Sequence, residues 1–442
     1  MAPLSILIVG CGVAGTPLAT FLLSTAQPAA EKAHITILER ASSPRPQGQN
    51  VDIRGAGVTI MRKLGIETAV RRSVTGEEGV QLVDARNRIW AENVADKTGK
   101  IQTGTSDIEI LRGRLAEICY LRSRSLSDEV EEQGGKGIEY IFGDYLQSLD
   151  QDGGQVHVRL AKSGKLRTFD IVVGADGLQS GTRRMVWGEE GEAERVQQVA
   201  GMYGAFFSLP KAPTDSLWRR WYTAPGRRSV MVRPSDAREP DRMTAFMMIM
   251  NEQDDRLRSA ARDGRKGAAV QKALFAEYFD GLAWECPRIV KAMQEADDFY
   301  YDMVAQVKMN TWSKVRVVLL GDAGYCASPI SGMGTALALN GAYNLAGALV
   351  QHPDDHTAAF AAYEETMRPI VNLAQKLPLG GRAPYLINLE TAWGIWIRNV
   401  IAYVVSISGI ALLIAKFAGP PADAVPVEEF GFRQLGDWQE EK

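Results

Sequence analysis

The segment SILIVGCGVAGTPLATFLLS, residues 5–24, constrains this chain more than any other. A short apolar strand runs directly into Gly10-x-Gly12-x-x-Gly15, and a helical apolar pattern begins on the far side. That order suits a turn that receives a dinucleotide. Gly10 permits the tight turn, Gly12 lets a pyrophosphate approach the backbone, and Gly15 lets helix and strand pack closely. The helix start also offers unpaired N–H groups and a partial positive charge to phosphates. A second strand, HITILER, ends in Glu39, 24 residues after Gly15. A carboxylate there accepts from both ribose hydroxyls of an adenosine and repels a 2′-phosphate. The tightly held nucleotide is therefore expected to be FAD or NAD, not NADP. A glycine turn used only for packing would leave Glu39 without a purpose. Cys11 lies inside the loop, where its small side chain is tolerated.

The fingerprint alone does not choose between FAD and NAD. An NAD dehydrogenase needs a separate catalytic His, Lys or Tyr arrangement, and none is evident. Two later segments favour FAD. TFDIVVGADGLQSGTRR places a strand before Gly174-Ala175-Asp176-Gly177, with Ser180 and Arg183 following. VVLLGDAGYCASPISGMGTALALNGA, residues 317–342, repeats the plan: a buried strand, the acidic turn Gly321-Asp322, a proline, two glycines and an alanine-rich helix.

With GxGxxG at 10–15, GADG at 174–177 and GD at 321–322 in this order, the chain resembles the class A flavoprotein monooxygenases of the aromatic hydroxylase fold. Within them it is most similar to the branch of tetracycline-inactivating monooxygenases. The resemblance spans residue 5 to about residue 375. It implies an α/β protein: a Rossmann-like FAD-binding domain, an interleaved antiparallel-sheet substrate domain and a C-terminal helix. The FAD-binding parts are expected at 1–75, 106–190 and 306–378, the substrate-domain parts at 76–105 and 191–305, and the helix and tail at 379–442.

The same resemblance implies roles for individual residues. Glu39 holds the adenosine ribose, and Arg45 takes the place of an arginine used for NADPH. Asp52 stands for a flavin-contacting aspartate, and Arg112 for an arginine that holds the ribityl and phosphate region. Asp176 is associated with the pyrophosphate and with NADPH, and Asp322 bonds the ribityl chain. Pro329 can lie against the isoalloxazine, a flat apolar edge with no N–H donor. Gly332 and Gly334 bring bare N–H groups to a helix start, an anion site for the reduced ring. Many relatives carry His in place of Tyr325 and an acidic residue in place of Asn340. The halogenase-type WxWxIP motif is absent, and no residue marks a covalent flavin link, so FAD is expected to be non-covalent.

From Gly201 to Asn251 the chain is rich in Phe, Tyr, Trp and Met, and Ser163-Gly164 marks a hairpin before it. These runs read as antiparallel strands whose inward face would roof the flavin. Met202, Tyr203 and Phe206 are the candidate substrate contacts, set against the plainer reading of such a stripe as core. The stretch 258–285 reads as a charged, exposed connection leading into a helix. No catalytic side chain is assigned. The implied oxidant is a flavin C4a-hydroperoxide, for which a protein supplies orientation and water exclusion.

The remaining features narrow the class. A net charge of −3 and a pI near 6.0 give no electrostatic reason for a nucleic-acid partner. Four cysteines and four histidines show no metal-type spacing and no CxxC pair, which points to a reducing compartment and no metal. The first residues lack a basic n-region, so a cytoplasmic location is expected. Between Arg398 and Lys416 lie 17 uncharged residues, near the lower limit for a bilayer span. They are expected to form a helix packed between the two domains, with membrane association through residues 391–415 as the alternative. The final VEEFGFRQLGDWQEEK reads as a polar, acidic tail. The expected activity is hydroxylation of an aromatic or polycyclic secondary metabolite with NADPH or NADH and O2. Epoxidation or Baeyer–Villiger insertion on the same scaffold is one alternative, and a flavin-free interaction protein is another.

Overall fold

The computed structural model describes residues 3–44, 48–95, 107–262, 267–408 and 424–440. A six-stranded sheet runs in the order Ser313–Lys314, Val317–Leu319, Ile171–Gly174, Ser5–Val9, His34–Glu39, Glu139–Phe142. All neighbours are parallel except the Ser313–Lys314 edge. Its strands are continuous apolar runs because both faces are covered. Ile6 and Ile8 meet the helices Gly15–Leu23, Arg112–Glu132 and Gly334–Gln351. Leu7 and Val9 meet a three-stranded antiparallel layer built from Leu146–Gln151, Val156–Leu160 and Leu166–Phe169. Parallel pairing has one consequence for the site: the turns after Val9, Leu38-Glu39, Gly174 and Leu319 all emerge at the same edge.

A seven-stranded sheet stands against that edge, in the order Tyr300–Val307, Val196–Pro210, Arg242–Met250, Arg228–Pro234, Trp218–Ala224, Gly79–Val83, Ile89–Val94. One face is packed by the helices Asp255–Arg262, Ala268–Phe279 and Cys286–Glu295, with Phe275 and Tyr301 in the core between them. The expected exposed connection at 258–285 is thus mostly helix. Leu257, Ala260 and Ala261 recur at helical spacing and bury one stripe, which the charges around them concealed. The other face looks toward the strand-end edge of the six-stranded sheet, where Met202, Met248 and Met250 cluster with Ile330.

The C-terminal region departs furthest from expectation. The helix Ala392–Ser408 does not pack between the two sheets. It lies across the strands Ile89–Val94 and Trp218–Ala224, burying only Ile395 and Asn399. Trp393, Trp396, Ile401, Val404 and Ile407 are exposed. Among the described residues no helix is long and apolar enough to cross a membrane, and residues 409–415 of the expected attachment lie outside them.

Residues 424–440 are an extended strap across the helices of the six-stranded sheet. Leu435 is buried, and Phe430 and Phe432 close on Phe21 and Tyr343 with ring centroids 5.2–5.5 Å apart. The Tyr343 hydroxyl donates to Glu428 O and the Thr59 hydroxyl to Val425 O, each at 2.6 Å. Arg433 N donates to Ser24 O and Trp438 N to Gly65 O, each at 2.7 Å.

Candidate FAD site

Three glycine turns converge at the strand ends. At the first, Gly10 has φ +117°, and a Cβ there would stand 2.4 Å from Ala175 O. A Cβ on Gly15 would stand 2.1 Å from Gly10 O. Both positions therefore require glycine, one for its conformation and both for close packing. Gly12 differs, because a Cβ there meets nothing within 4 Å. The bare backbone at this point faces open space, and the helix Gly15–Leu23 has no side-chain cap on its free N–H groups. Glu39 is held across this turn: Cys11 N donates to Oε2 at 3.1 Å and Ala41 N to Oε1 at 2.8 Å. Burial and the Glu39 charge push the Cys11 thiol far above its ordinary value, so it stays an inert thiol.

At the second turn Asp176 folds back on its own loop. Its Oδ1 accepts from the Ser180 hydroxyl at 2.5 Å, and its Oδ2 accepts from Thr182 N and the Thr182 hydroxyl, each at 3.0 Å. It thereby fixes the start of the helix Gly181–Trp187. Arg183, fully buried, donates to Leu178 O and Ala323 O at 2.7 Å and pairs with Glu192 at 2.6 Å. That arginine staples the second turn to the third, a role its position in the sequence did not disclose.

At the third turn Gly321 has φ +66°, and Asp322 opens the one-turn helix Asp322–Tyr325. Burial and the charge of Asp322 push the Cys326 thiol upward. Arg112 starts the helix Arg112–Glu132, and its side chain has no hydrogen bond or ion pair with another described residue. Its charge reaches Tyr300, Asp302 and Cys326. Asp302 accepts from Gln179 Nε2 at 3.0 Å and from the Tyr300 hydroxyl at 2.9 Å, and burial pushes its carboxyl upward. Sequence reasoning missed this pair of front residues. The spacing Tyr300-x-Asp302, which puts both on one face of a strand, was the available signal.

Past Asp322, Ser328 adopts φ +76° and leads into the Pro329–Ser331 turn, closed by the Ser331 hydroxyl donating to Ser328 O at 2.8 Å. Pro329 is exposed. Gly332 has φ +64°, and Cβ atoms on Gly332 and Gly334 would meet nothing within 4 Å. The helix Gly334–Gln351 again lacks a side-chain cap. Tyr325 and Asn340 lie beneath this turn. The Tyr325 hydroxyl is 2.8 Å from that of Tyr363, and Asn340 accepts from Asn344 at 2.8 Å. Both side chains are buried and serve packing here.

The facing sheet presents a continuous row. Registers align Tyr300, Phe206, Phe246, Met231 and Trp221 across five strands, with Phe206 and Phe246 stacked at 4.4 Å. Met202 lies on the same face, clustered with Met248, Met250 and Ile330 of the proline turn. Tyr203 points the other way, stacked on Tyr301 at 6.1 Å in the core behind the sheet. Strand alternation forbids adjacent residues from lining one wall. Asp52 pairs with Arg54 at 2.9 Å, on a strand whose register sets it opposite Glu109. Arg45 lies outside the described residues. Among the described residues no cluster could hold a metal.

The donor set fits a dinucleotide. It combines two uncapped helix starts, open glycine backbone at Gly12, Gly332 and Gly334, the Glu39 carboxylate at the end of the second strand, and an arginine with no ion pair to another described residue. The profile of the family described as FAD binding domain matches residues 4–376. FAD-dependent monooxygenase asL6 of Sarocladium schorii is 33% identical over 406 residues, covering 91% of this chain and 92% of that protein. Monooxygenase CTB7 of Cercospora beticola is 34% identical over 391 residues, covering 86% and 88%. The crystal structure of tetracycline destructase Tet(51) superimposes with a TM-score of 0.71 at 27% identity, covering 95% of this chain and 99% of that one. The motif turns, their placement at one sheet edge and these relatives agree: the chain belongs to the FAD-binding-domain family and is an FAD-dependent monooxygenase.

Proposed function

We propose that this enzyme hydroxylates an aromatic or polycyclic small molecule of secondary metabolism with O2 and electrons from NADPH or NADH. The observation that carries the reading is the aromatic and Met row facing the Pro329 turn, a flat apolar wall suited to a planar substrate. FAD, when bound, supplies the oxygen and electron chemistry. The protein's share is to hold and to exclude water. Gly12 and the first helix start receive the pyrophosphate, and Glu39 the adenosine ribose. Arg112 and Asp322 hold the ribityl side, with Asp52 beside the ring and the Asp176 loop close to the phosphates. Pro329, Gly332 and Gly334 border the isoalloxazine. Met202 and Phe206 touch substrate, while Tyr203 supports the sheet from behind. The division into FAD-binding and substrate segments is supported by sheet membership: strands from 79–94 and 196–307 build the wall. Mass-spectrometric detection of 18O from labelled O2 in a product, across a panel of polycyclic phenols, tests the reading. Consumption of NAD(P)H with peroxide as the sole oxygen product throughout would overturn it.

Asp322→Ala is expected to weaken FAD binding about 10–100-fold, the loss of one charge-assisted acceptor worth about 1.5–3 kcal/mol. Equilibrium titration of apoprotein measures it. Heat denaturation is expected to leave all the yellow colour in the supernatant, because FAD is held without a covalent bond.

The single GxGxxG turn is taken by FAD, so NAD(P)H visits transiently. Flavin reduction is expected to be at least about 10-fold faster with substrate present, which needs only about 1.4 kcal/mol of differential binding between two arrangements. Anaerobic stopped-flow absorbance measures this, and equal rates with and without substrate would remove the gate.

We further propose peripheral contact of the C-terminal helix with a lipid surface. Its outer face is uncharged and carries Trp393 stacked on Trp396 at 4.9 Å, the composition of an interfacial helix. Co-sedimentation with anionic liposomes, lost in a Trp393→Ser/Trp396→Ser variant, is the expected result.

A further inference from the structure

The inner side of the C-terminal helix carries one charge. Arg398 Nη1 donates to the Thr223 hydroxyl at 2.9 Å and to Ile387 O at 2.8 Å, and Nε and Nη2 donate to Asn399 Oδ1 at 3.2 and 2.5 Å. Every one of these acceptors is neutral. Among the described residues no carboxylate pairs with Arg398. Burial pushes the guanidinium down to about 10. Arg398 is half-buried, and a partly desolvated cation with no carboxylate partner among the described residues carries a cost.

The surroundings of Arg398 indicate that use. Thr223 stands two residues beyond Trp221 on the substrate-facing side of its strand, and its cross-strand partner is Ser229. Trp221 Nε1, Ser229 Oγ and Asn388 Oδ1 are all buried without a hydrogen-bond partner among the described residues. Ser229 is 1% exposed and Asn388 2%. Asn388 follows Ile387, whose carbonyl already accepts from Arg398. Strand register and the Arg398 bonds thus set Trp221, Ser229 and a guanidinium with no carboxylate partner among the described residues at the same end of the aromatic row. A purely structural peg would account for the Arg398 bonds but not for the two orphaned donors, Trp221 Nε1 and Ser229 Oγ. The helix above them is lightly held. It buries Ile395 and Asn399, and near its far end Ser406 exchanges bonds with the backbone of Glu92 at 3.1 and 3.2 Å.

We propose that Arg398, Trp221 and Ser229 form a subsite for an acidic oxygen of the substrate, a phenolate or enolate, capped by the C-terminal helix. The inference rests on the monooxygenase reading with a polycyclic substrate. It adds the polarity and the end at which that substrate is recognised. Binding exchanges neutral acceptors of the guanidinium for an anionic one, and a small shift of the helix admits the ligand without opening a core.

The holoenzyme can be titrated with 1,8-dihydroxyanthraquinone and with its dimethyl ether at pH 8, read by perturbation of the flavin absorbance. The hydroxy compound is expected to bind at least about 10-fold more tightly, as a charge-assisted bond would give. Arg398→Met is expected to abolish that preference while leaving ether affinity and FAD content unchanged. Arg398→Lys keeps part of the preference. Trp221→Phe, which retains the ring, lowers hydroxy binding about 3–10-fold. Three results overturn the proposal: no preference in the unmodified enzyme, a preference that survives Arg398→Met, or equal loss of both compounds. The last would identify Arg398 as a peg for the helix. Failure of the monooxygenase reading is seen separately, as absence of 18O from labelled O2 in any product of the same holoenzyme.

Discussion

Replacing Arg233 with Met is expected to lower the unfolding free energy by about 3–5 kcal/mol, the cost of leaving a buried charge uncompensated. Arg219 Nη2 lies 2.8 Å from Glu77 and 3.0 Å from Glu109, while Arg233 lies 2.7 Å from Glu77 and also contacts Glu109. Glu77 and Glu109 are 1% and 4% exposed at the side chain, so little water shares the load. Removing Arg233 leaves two buried carboxylates facing one guanidinium. Burial already holds the Glu77 carboxyl above its ordinary value, against the pull of both arginines. Losing one arginine raises it further. A carboxyl whose folded value lies above its unfolded value binds a proton preferentially in the folded state, so stability falls as pH rises through the folded value. The defect is therefore expected to be milder at pH 5.5 than at pH 8. Urea denaturation at both pH values measures it. Adding Glu109→Leu should restore much of the loss, since removing a pair costs less than breaking it. A loss under 1 kcal/mol, or one insensitive to pH, would show that water reaches the quartet.

Truncation after residue 423 is expected to cost the protein its FAD and its solubility. The strap lies on the helices that carry the first and third glycine turns. Phe430 sits over Gly347 so closely that a Cβ there would stand 2.3 Å from its ring. Phe430→Ala with Phe432→Ala is expected to destabilise by about 3–5 kcal/mol, in the range for losing aromatic packing. Gly347→Leu should reproduce the defect by expelling the ring. Trp393→Ser with Trp396→Ser on the neighbouring helix should leave FAD content unchanged. Melting temperature and the ratio of absorbance at 450 to 280 nm (general flavin and protein bands) separate these outcomes. A truncated protein that stays yellow and soluble would reduce the strap to an ornament.

Some of this protein was legible from the chain alone, because the relevant physics is local. Gly10, Gly12 and Gly15 follow a strand within a few residues, and the conformation and clearance each needs are set by that short stretch. Glu39 ends the next strand, and parallel pairing of Ser5–Val9 with His34–Glu39 brings it to the same edge. The Asp322 turn and the open Gly332 and Gly334 obey the same rule. Other features needed the tertiary structure. Alternation implies that Met202 and Tyr203 face opposite ways, but only the helices behind the sheet decide which of the two looks toward the Pro329 turn. Glu109 meets Arg219 and Arg233 across more than a hundred residues of chain, and no local pattern encodes such a pairing. The final segment has no period to read, since an extended strap satisfies its backbone on neighbours one residue at a time. Arg398 was simply the charge that bounded an apolar run. Its setting comes from Thr223, Ser229 and Trp221, a local hairpin that the tertiary fold brings beneath it across 175 residues of chain.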